Sequence, residues 1–511
     1  MRNDERTDND PGADGGDNPN PSTIPATPTE QPPRTRRRRR RLTGLDALYT
    51  DTANGERFAD EWEGTLLYDW KRDTWYIYDG RRWAEDVRGE VYELAKQTAR
   101  AVQEEAALIP DTDLREAALQ AATKLMSVEG QHKMLRSARS IASMRIISEE
   151  WDAAPNLFNM MDGTFNLETM TLQPHDPADR ITLLSSAHYD PDADCPLFKE
   201  NMATYWQHAP DIIDYVIVLL GMCLSGLNKE KCFMILHGPG DTGKTSFIEA
   251  VAHAWGGYCQ TTDISTFFER KQEGSAHSTD LVKLVGARIV RASEPPDGVR
   301  LSDTLIKKIT GRAPLTVREL RCKPFDYFPT YKIWFDTNHL PRFSGSDQAM
   351  WNRIRTITFT RVFSFEEQQE AQRKYGDMTE ALKREADGII ALALRGWTHY
   401  KAHGMPKPPQ SVETATQEYR YTEDVLGQFI DEWCLTGTQE QVDAKSLYEA
   451  FREWGEENGY KYLPPQNRFG TQLAERGFQA TRTKSQRLWH GLRLRFTKAE
   501  RLERGGGTDP F

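Results

Sequence analysis

Lys244 and Thr245 close the run His237-Gly238-Pro239-Gly240-Asp241-Thr242-Gly243-Lys244-Thr245-Ser246. The apolar stretch Cys232 to Leu236 leads into this run and the helix-compatible stretch Phe247 to Trp255 follows it. Strand, glycine loop and helix in that order are what a P-loop requires. In such a loop, the backbone amides of Gly238 to Ser246, Pro239 apart, cradle phosphates, and Lys244 reaches the outer phosphates as a point charge. Thr245 offers its hydroxyl to magnesium. The chemistry expected here is binding and hydrolysis of ATP with Mg2+.

Further residues narrow the task. Ala287 to Glu294 reads as a strand that ends in an acid, the place where a P-loop enzyme orients water and supports magnesium. Glu294 is the candidate for both roles. The familiar arrangement has two adjacent acids, whereas Ser293 occupies the first place here. Tyr331 to Asn338 reads as another strand, and Asn338 at its end is suited to hydrogen-bond the attacking water or the terminal phosphate. Arg353, with Arg355 as substitute, precedes the strand Thr356 to Thr360. An arginine there could cross a subunit boundary to a neighbour's nucleotide.

These residues need a scaffold, and the chain divides readily. Residues 1–44 are polar, rich in Asp, Asn and Pro, and end in an arginine run, Arg36 to Arg41. Such a segment cannot bury enough surface to fold; its arginines suit phosphates, an address or plain solvent. Residues 45–207 form an α+β region. Trp75 to Tyr78, Asp79-Gly80 and Arg81 to Trp83 predict a hairpin. Trp62, Trp70, Trp75 and Trp83 serve either as a small core or as a base-stacking surface. Helices are expected over Glu90–Leu108, Leu114–Glu129 and Gln131–Glu150, then paired short strands over Asn156–Leu167.

The α/β ATPase core is placed at 208–400, with helix from Thr379 to Ala402 and a linker from Gly404 to Pro409. In residues 410–498, Asp443 caps a helix carrying Leu447, Phe451 and Trp454. A second helix around Phe469 and Leu473 ends at Gly477, and two basic strands follow. That order predicts a winged-helix-like domain whose wing presents Arg482, Lys484, Arg487, Arg493 and Arg495, or else a protein-protein module with a solvated basic edge. Residues 499–511 are a tail.

Taken in order, Gly238 to Thr245, Leu284 to Arg288 leading to Ser293-Glu294, Lys308-Ile309-Thr310-Gly311, Phe325 to Thr330, Thr337 to Phe343 and Trp351-Asn352-Arg353-Ile354 resemble the superfamily 3 helicases. The resemblance is to the phage and plasmid primase-helicase family, related to the poxvirus primase-helicase, and spans Leu48 to Phe496. It implies an AAA+-like hexameric ring that moves 3′ to 5′ on single-stranded DNA in phage, prophage or plasmid replication. It further implies a DNA-facing hairpin on which, by position, Lys307, Lys308, Arg318, Arg321 and Lys323 hold phosphates. The family usually carries two adjacent arginines after the tryptophan; Asn352 stands in the first place here. Only a tail and the region 45–207 precede the core, and residues 1–48 hold no paired-acid motif suited to metal-dependent polymerisation. Primase activity is not expected of this chain alone, and a separate primase is a candidate partner.

Composition bounds the alternatives. The formal charge of −10 does not decide against a nucleic-acid partner, because local basic surface matters more than the sum. Six cysteines are scattered without a Cys-x-x-Cys pair, which argues against structural zinc and fits a reducing compartment, a bacterial host cytoplasm. The stretch Ile212 to Leu227 contains Asp214 and falls short of the roughly 20 residues a bilayer demands. A DNA helicase is the main expectation. A nucleotide-switched initiator and a P-loop ATPase that acts on nucleic acid without unwinding it are the alternatives; strand displacement separates them.

Overall fold

The computed structural model describes residues 49–268, 280–293, 300–318, 324–343, 347–460, 463–482, 486–497 and 500. The expectations for the arginine run, Glu294, Arg321, Lys323, Lys484 and the C-terminal tail lie outside these residues.

The first part is built on strands β1 (Leu66–Asp69), β2 (Thr74–Tyr78), β3 (Trp83–Glu85) and β4 (Arg145–Ile146), ordered β3-β2-β1-β4. The hairpin forms where Asp79-Gly80 predicts it, with Tyr78 paired to Trp83. Asp79 accepts the amides of Arg81 and Arg82, and Gly80 takes φ +96°. Most of the tryptophans are core. Trp62 and Trp83 are buried, Trp83 packs on Trp151, and Trp75 meets Phe58 and Tyr68 edge-on. Trp70 is exposed, with the Arg139 guanidinium over its ring.

Helices Asp51–Trp62, Glu90–Ala107, Thr112–Leu125 and Val128–Ala138 complete this part. The helix expected to run to Glu150 stops at Ala138. Its continuation is drawn into the sheet instead, since Tyr68 and Trp70 donate their amides to Met144 and Ile146. Beta-pairing there satisfies backbone groups that a longer helix would otherwise hold.

Strands β5 (Leu157–Met160), β6 (Gly163–Asn166) and β7 (Thr171–Gln173) form an antiparallel meander, with the expected turn between Met160 and Gly163. Phe158 stacks on Tyr258 and, with Met160, Phe165 and Leu167, joins the core that also holds Phe247, Trp255 and Trp334. The meander and the helix Pro196–Tyr205 thus share one core with the parallel sheet.

That sheet is the centre of the molecule. Strands β8 (Phe233–His237), β9 (Cys259–Thr261), β10 (Ile289–Ser293), β13 (Lys332–Thr337) and β14 (Ile354–Thr358) lie in the order β14-β8-β13-β10-β9, every pair parallel. The short hairpin β11 (Leu315–Val317) and β12 (Phe325–Tyr327) is inserted between β10 and β13. All six residues of β13 are buried, as parallel strands covered on both faces should be. The chain leaves β8 for the far edge, returns strand by strand to β13, and crosses β8 to reach β14. The carboxyl ends of β8 and β13 therefore flank a switch point, where parallel sheets open a crevice for ligands.

The helical stretch expected from Thr379 to Ala402 is two helices, Met378–Lys383 and Ala386–His403, and the second packs on Pro210–Met222. After 404–409 the helix Gln410–Glu423 lies on β14, with Tyr419 in the sheet's core and the Thr416 hydroxyl accepting the Thr356 amide. The last part packs helices Val425–Trp433, Ala444–Glu457 and Gln466–Glu475 on an antiparallel sheet ordered β15-β17-β16. Its strands are β15 (Cys434–Asp443), β16 (Gln479–Arg482) and β17 (Arg487–Leu494). Asp443 caps its helix by accepting from the Lys445 and Ser446 amides. Phe429, Phe451, Trp454, Phe469 and Trp489 fill the core between them. Among the described residues no helix is long and apolar enough to cross a membrane.

Candidate functional site

The loop between β8 and the helix Lys244–Trp255 is shaped by two close approaches. A side chain at Gly238 would place its Cβ 2.1 Å from the Phe359 carbonyl oxygen, so only glycine lets the loop lie against the segment after β14. Gly243 takes φ +84° and abuts the Tyr205 ring, where a Cβ would sit 2.2 Å from Cε1. A left-handed residue at this junction turns the chain into the helix, and glycine adopts that conformation without steric penalty. The Phe359 amide donates to His237 and the Phe363 amide to Asp241, which ties both ends of the loop to the segment after β14.

Lys244 is buried, and its ammonium donates to the carbonyls of Gly238 at 2.7 Å and Pro239 at 2.6 Å and to the Thr242 hydroxyl. The charge is thus held at the loop before any phosphate arrives. Thr245 is exposed at the first turn of the helix, where unpaired amides and the helix dipole favour an anion. The Ser246 hydroxyl accepts from Thr379 at 3.0 Å.

These residues line a cavity of about 500 Å3. Gly240 to Ser246 form one wall and Asp336, Thr337 and Asn338 another. Asn338 stands half-buried past the end of β13, beside the strand that feeds the loop. The outer side of the cavity is closed by Asn201 and Tyr205 from the helix Pro196–Tyr205, and by Gln368 and Gln372 from the helix Phe365–Tyr375. That last helix has no buried residue, and it starts in a capping box between Ser364 and Glu367. Burial lowers the His237 pKa at the end of β8, so its imidazole is disposed to stay neutral beside the Lys244 charge.

Sequence reasoning passed over Asp336 and the group that holds it. Asp336 is 7 % exposed, and Arg291 on β10 donates to both its oxygens at 3.4 Å while also pairing with Glu249. Burial raises the Asp336 pKa and the Arg291 charge opposes that rise. The available signal was an acid inside an otherwise apolar run, Ile333-Trp334-Phe335-Asp336.

Arg353 is elsewhere. Parallel pairing sets Ile354 beside Phe233 and Thr358 beside His237, so Arg353 lies at the amino ends of the strands. The glycine loop is about 16 Å away along a five-residue strand, at roughly 3.3 Å per residue. Its guanidinium contacts the Thr310 hydroxyl at 3.2 Å and the Ala349 carbonyl. Arg355 is tied to the carbonyls of Asn352 and Ile354 at 2.9 and 2.8 Å.

Of the residues expected to meet DNA, Arg318 is exposed just past the end of β11. Lys308 is exposed on the helix Asp303–Ile309, whereas Lys307 on the same helix pairs with Asp347. In the C-terminal part Arg482 and Arg487 are exposed, Arg487 over the Trp489 ring. Arg493 pairs with Glu440 at 2.9 Å and Arg495 donates to the Cys434 carbonyl.

Residues 55–207 match the family described as D5 N terminal like, and residues 421–499 match Poxvirus D5 protein-like. Over these two segments, together less than half of its 511 residues, the chain is similar to D5-type proteins. The two matches flank the strands of the parallel sheet, and the first includes Asn201 and Tyr205 of the cavity. Among curated proteins, one of Acanthamoeba polyphaga mimivirus is 28% identical over 318 residues, covering 59% of this chain and 33% of its own length. One of Frog virus 3 is 25% identical over 244 residues, covering 46% of this chain and 25% of its own. Both carry names that begin "Putative helicase". The chain thus spans a third or less of the length of these two relatives. Among solved structures, the apo C-terminal region of NrS-1 is similar at 11% identity and a TM-score of 0.43, over 80% of this chain and 83% of that one.

Proposed function

We propose that this protein is an ATP-dependent DNA helicase acting in DNA replication. The observation that carries the reading is the cavity at the carboxyl ends of β8 and β13, where Lys244, Thr245 and Asn338 meet. The glycine loop is read as a P-loop, and the five-stranded sheet around it as an AAA+-like core. The loop amides and Lys244 would hold the phosphates of ATP, and the Thr245 hydroxyl would help hold Mg2+, which would supply charge neutralisation there. Asn338 orients the attacking water. Glu294 follows β10 directly in the chain and keeps its role as the water-activating acid.

Arg353, at the opposite end of the sheet from the loop of its own chain, is read as the residue given to a neighbour's nucleotide. That assignment needs a second copy beside each nucleotide, which we read as a hexameric ring, with single-stranded DNA gripped by Lys308 on the helix Asp303–Ile309 and by Arg318 past the end of β11. The C-terminal part is read as a winged-helix domain that contacts DNA or a partner, with Arg482 and Arg487 among its exposed cations. The names of the viral relatives support the helicase reading.

Strand displacement tests it. The purified chain with ATP and Mg2+ is expected to unwind a duplex that carries a single-stranded tail, and Lys244→Ala to leave the duplex intact. ATP turnover without displacement on either tail polarity would overturn the helicase assignment in favour of the switch or the non-unwinding ATPase.

A further inference from the structure

The nucleotide site shows one carboxylate fewer along β10 than the familiar arrangement, because Ser293 stands where an acid precedes the last acid of the pair. The sheet compensates one strand over. Ser293 on β10 is the registered partner of Asp336 on β13, so the two positions lie side by side at the carboxyl end of the sheet. Asp336 lines the same cavity as Thr245 and Asn338.

The carboxylate is held rather than consumed. Arg291 reaches each of its oxygens with a single contact at 3.4 Å, and an ionised carboxylate offers about four acceptor positions. Acceptor capacity is therefore left for the cavity. Arg291 also pairs with Glu249, which lies one turn beyond Thr245 on the helix that starts at the loop. The guanidinium thus fixes the carboxylate on β13 relative to the helix that carries the Thr245 hydroxyl. The donor set suits magnesium, which keeps several waters and is bound through one or two carboxylates together with substrate phosphates. Among the described residues no group of three or more His, Cys, Asp or Glu could hold a metal without such help.

We propose that Asp336 is the second magnesium-supporting carboxylate of this site, displaced from position 293 to the neighbouring strand, and that Arg291 is its positioning residue. The proposal rests on the nucleotide-site reading above. The competing account is structural: Asp336 exists only to neutralise a buried arginine.

Binding of a fluorescent ADP analogue to the full chain, titrated with Mg2+ from excess EDTA, separates the two. Asp336→Asn is expected to bind the analogue in EDTA as the unaltered protein does. The Mg2+ concentration that gives half of the metal-dependent tightening is expected to rise by about tenfold or more, the scale on which partners of a metal's ligands act. Arg291→Lys, which keeps the charge but loses the fork, shifts it in the same direction by less. An unchanged Mg2+ midpoint in a folded Asp336→Asn protein overturns the proposal. If Asp336→Asn does not fold, Asp336→Glu keeps the charge against Arg291 while moving the oxygens by one methylene. A raised midpoint there supports the proposal and an unchanged one overturns it. Failure of the unaltered protein to bind the analogue, or full binding by Lys244→Ala, defeats the nucleotide-site reading itself.

Discussion

The two ends of the parallel sheet carry cations of opposite character. At the carboxyl ends Lys244 is buried and locked onto the carbonyls of its own loop. At the amino ends Arg353 is half-buried, with one contact to a hydroxyl and another to the last turn of a short helix. A residue that must meet phosphate at each turnover gains from being preorganised, since its reorganisation is then complete before the reaction. A residue that serves a neighbouring subunit has to be deliverable at a surface. The difference in anchoring is the one expected under the proposed division of labour, in which one end of the sheet would receive nucleotide and the other would complete a neighbour's site.

Removing each cation tests that division, and Lys244→Ala carries the largest effect. ATP hydrolysis should fall by about a thousandfold, the upper range for loss of one preorganised electrostatic group. A steady-state phosphate-release assay reads it, and turnover within tenfold of the unaltered protein would place the phosphates elsewhere. Arg353→Ala comes next: hydrolysis should fall by about a hundredfold or more while ADP affinity stays within about twofold. Mixing the Arg353→Ala and Lys244→Ala proteins should then recover part of the turnover, because some interfaces pair an intact loop with an intact arginine. Loss of nucleotide binding in Arg353→Ala would show that it serves its own chain.

Arg355→Ala sharpens the comparison, since Arg355 is already committed to two carbonyls of its own chain. Hydrolysis should drop by no more than about threefold, within the range of a surface or packing change of well under 1 kcal/mol. A drop as large as that of Arg353→Ala would transfer the role to Arg355. The smallest effect is expected from Arg493→Ala in the C-terminal part, where the guanidinium is spent on Glu440. Affinity for a short duplex, read by fluorescence anisotropy, should change by less than about twofold, since exposed ion pairs contribute at most about 1 kcal/mol. Arg487→Ala should weaken it more.

How much of this was legible in the sequence differed between the same regions. The strand, loop and helix around Lys244 were plain because three signals coincide there: an apolar run, glycines at fixed spacing and a helical pattern. Asp336 and Arg291 were not, because β13 is buried along its whole length and a strand covered on both faces has no alternation to show which side chains turn toward a ligand. The helix Phe365–Tyr375 also escaped. It buries nothing, so no apolar stripe marks it, and yet Gln368 and Gln372 close the cavity. Strand β15 was missed for a related reason, since Thr436 to Gln439 are exposed and show no apolar alternation. Short local motifs were visible, whereas groups that meet only through sheet order were not.

The most direct test of the account is ATP hydrolysis by the purified full chain with and without single-stranded DNA, measured alongside its mass in solution. A ring-sized assembly whose turnover rises on adding DNA is the predicted result. A monomer, or turnover indifferent to DNA, would contradict the claim that neighbouring copies complete each nucleotide site of a DNA motor.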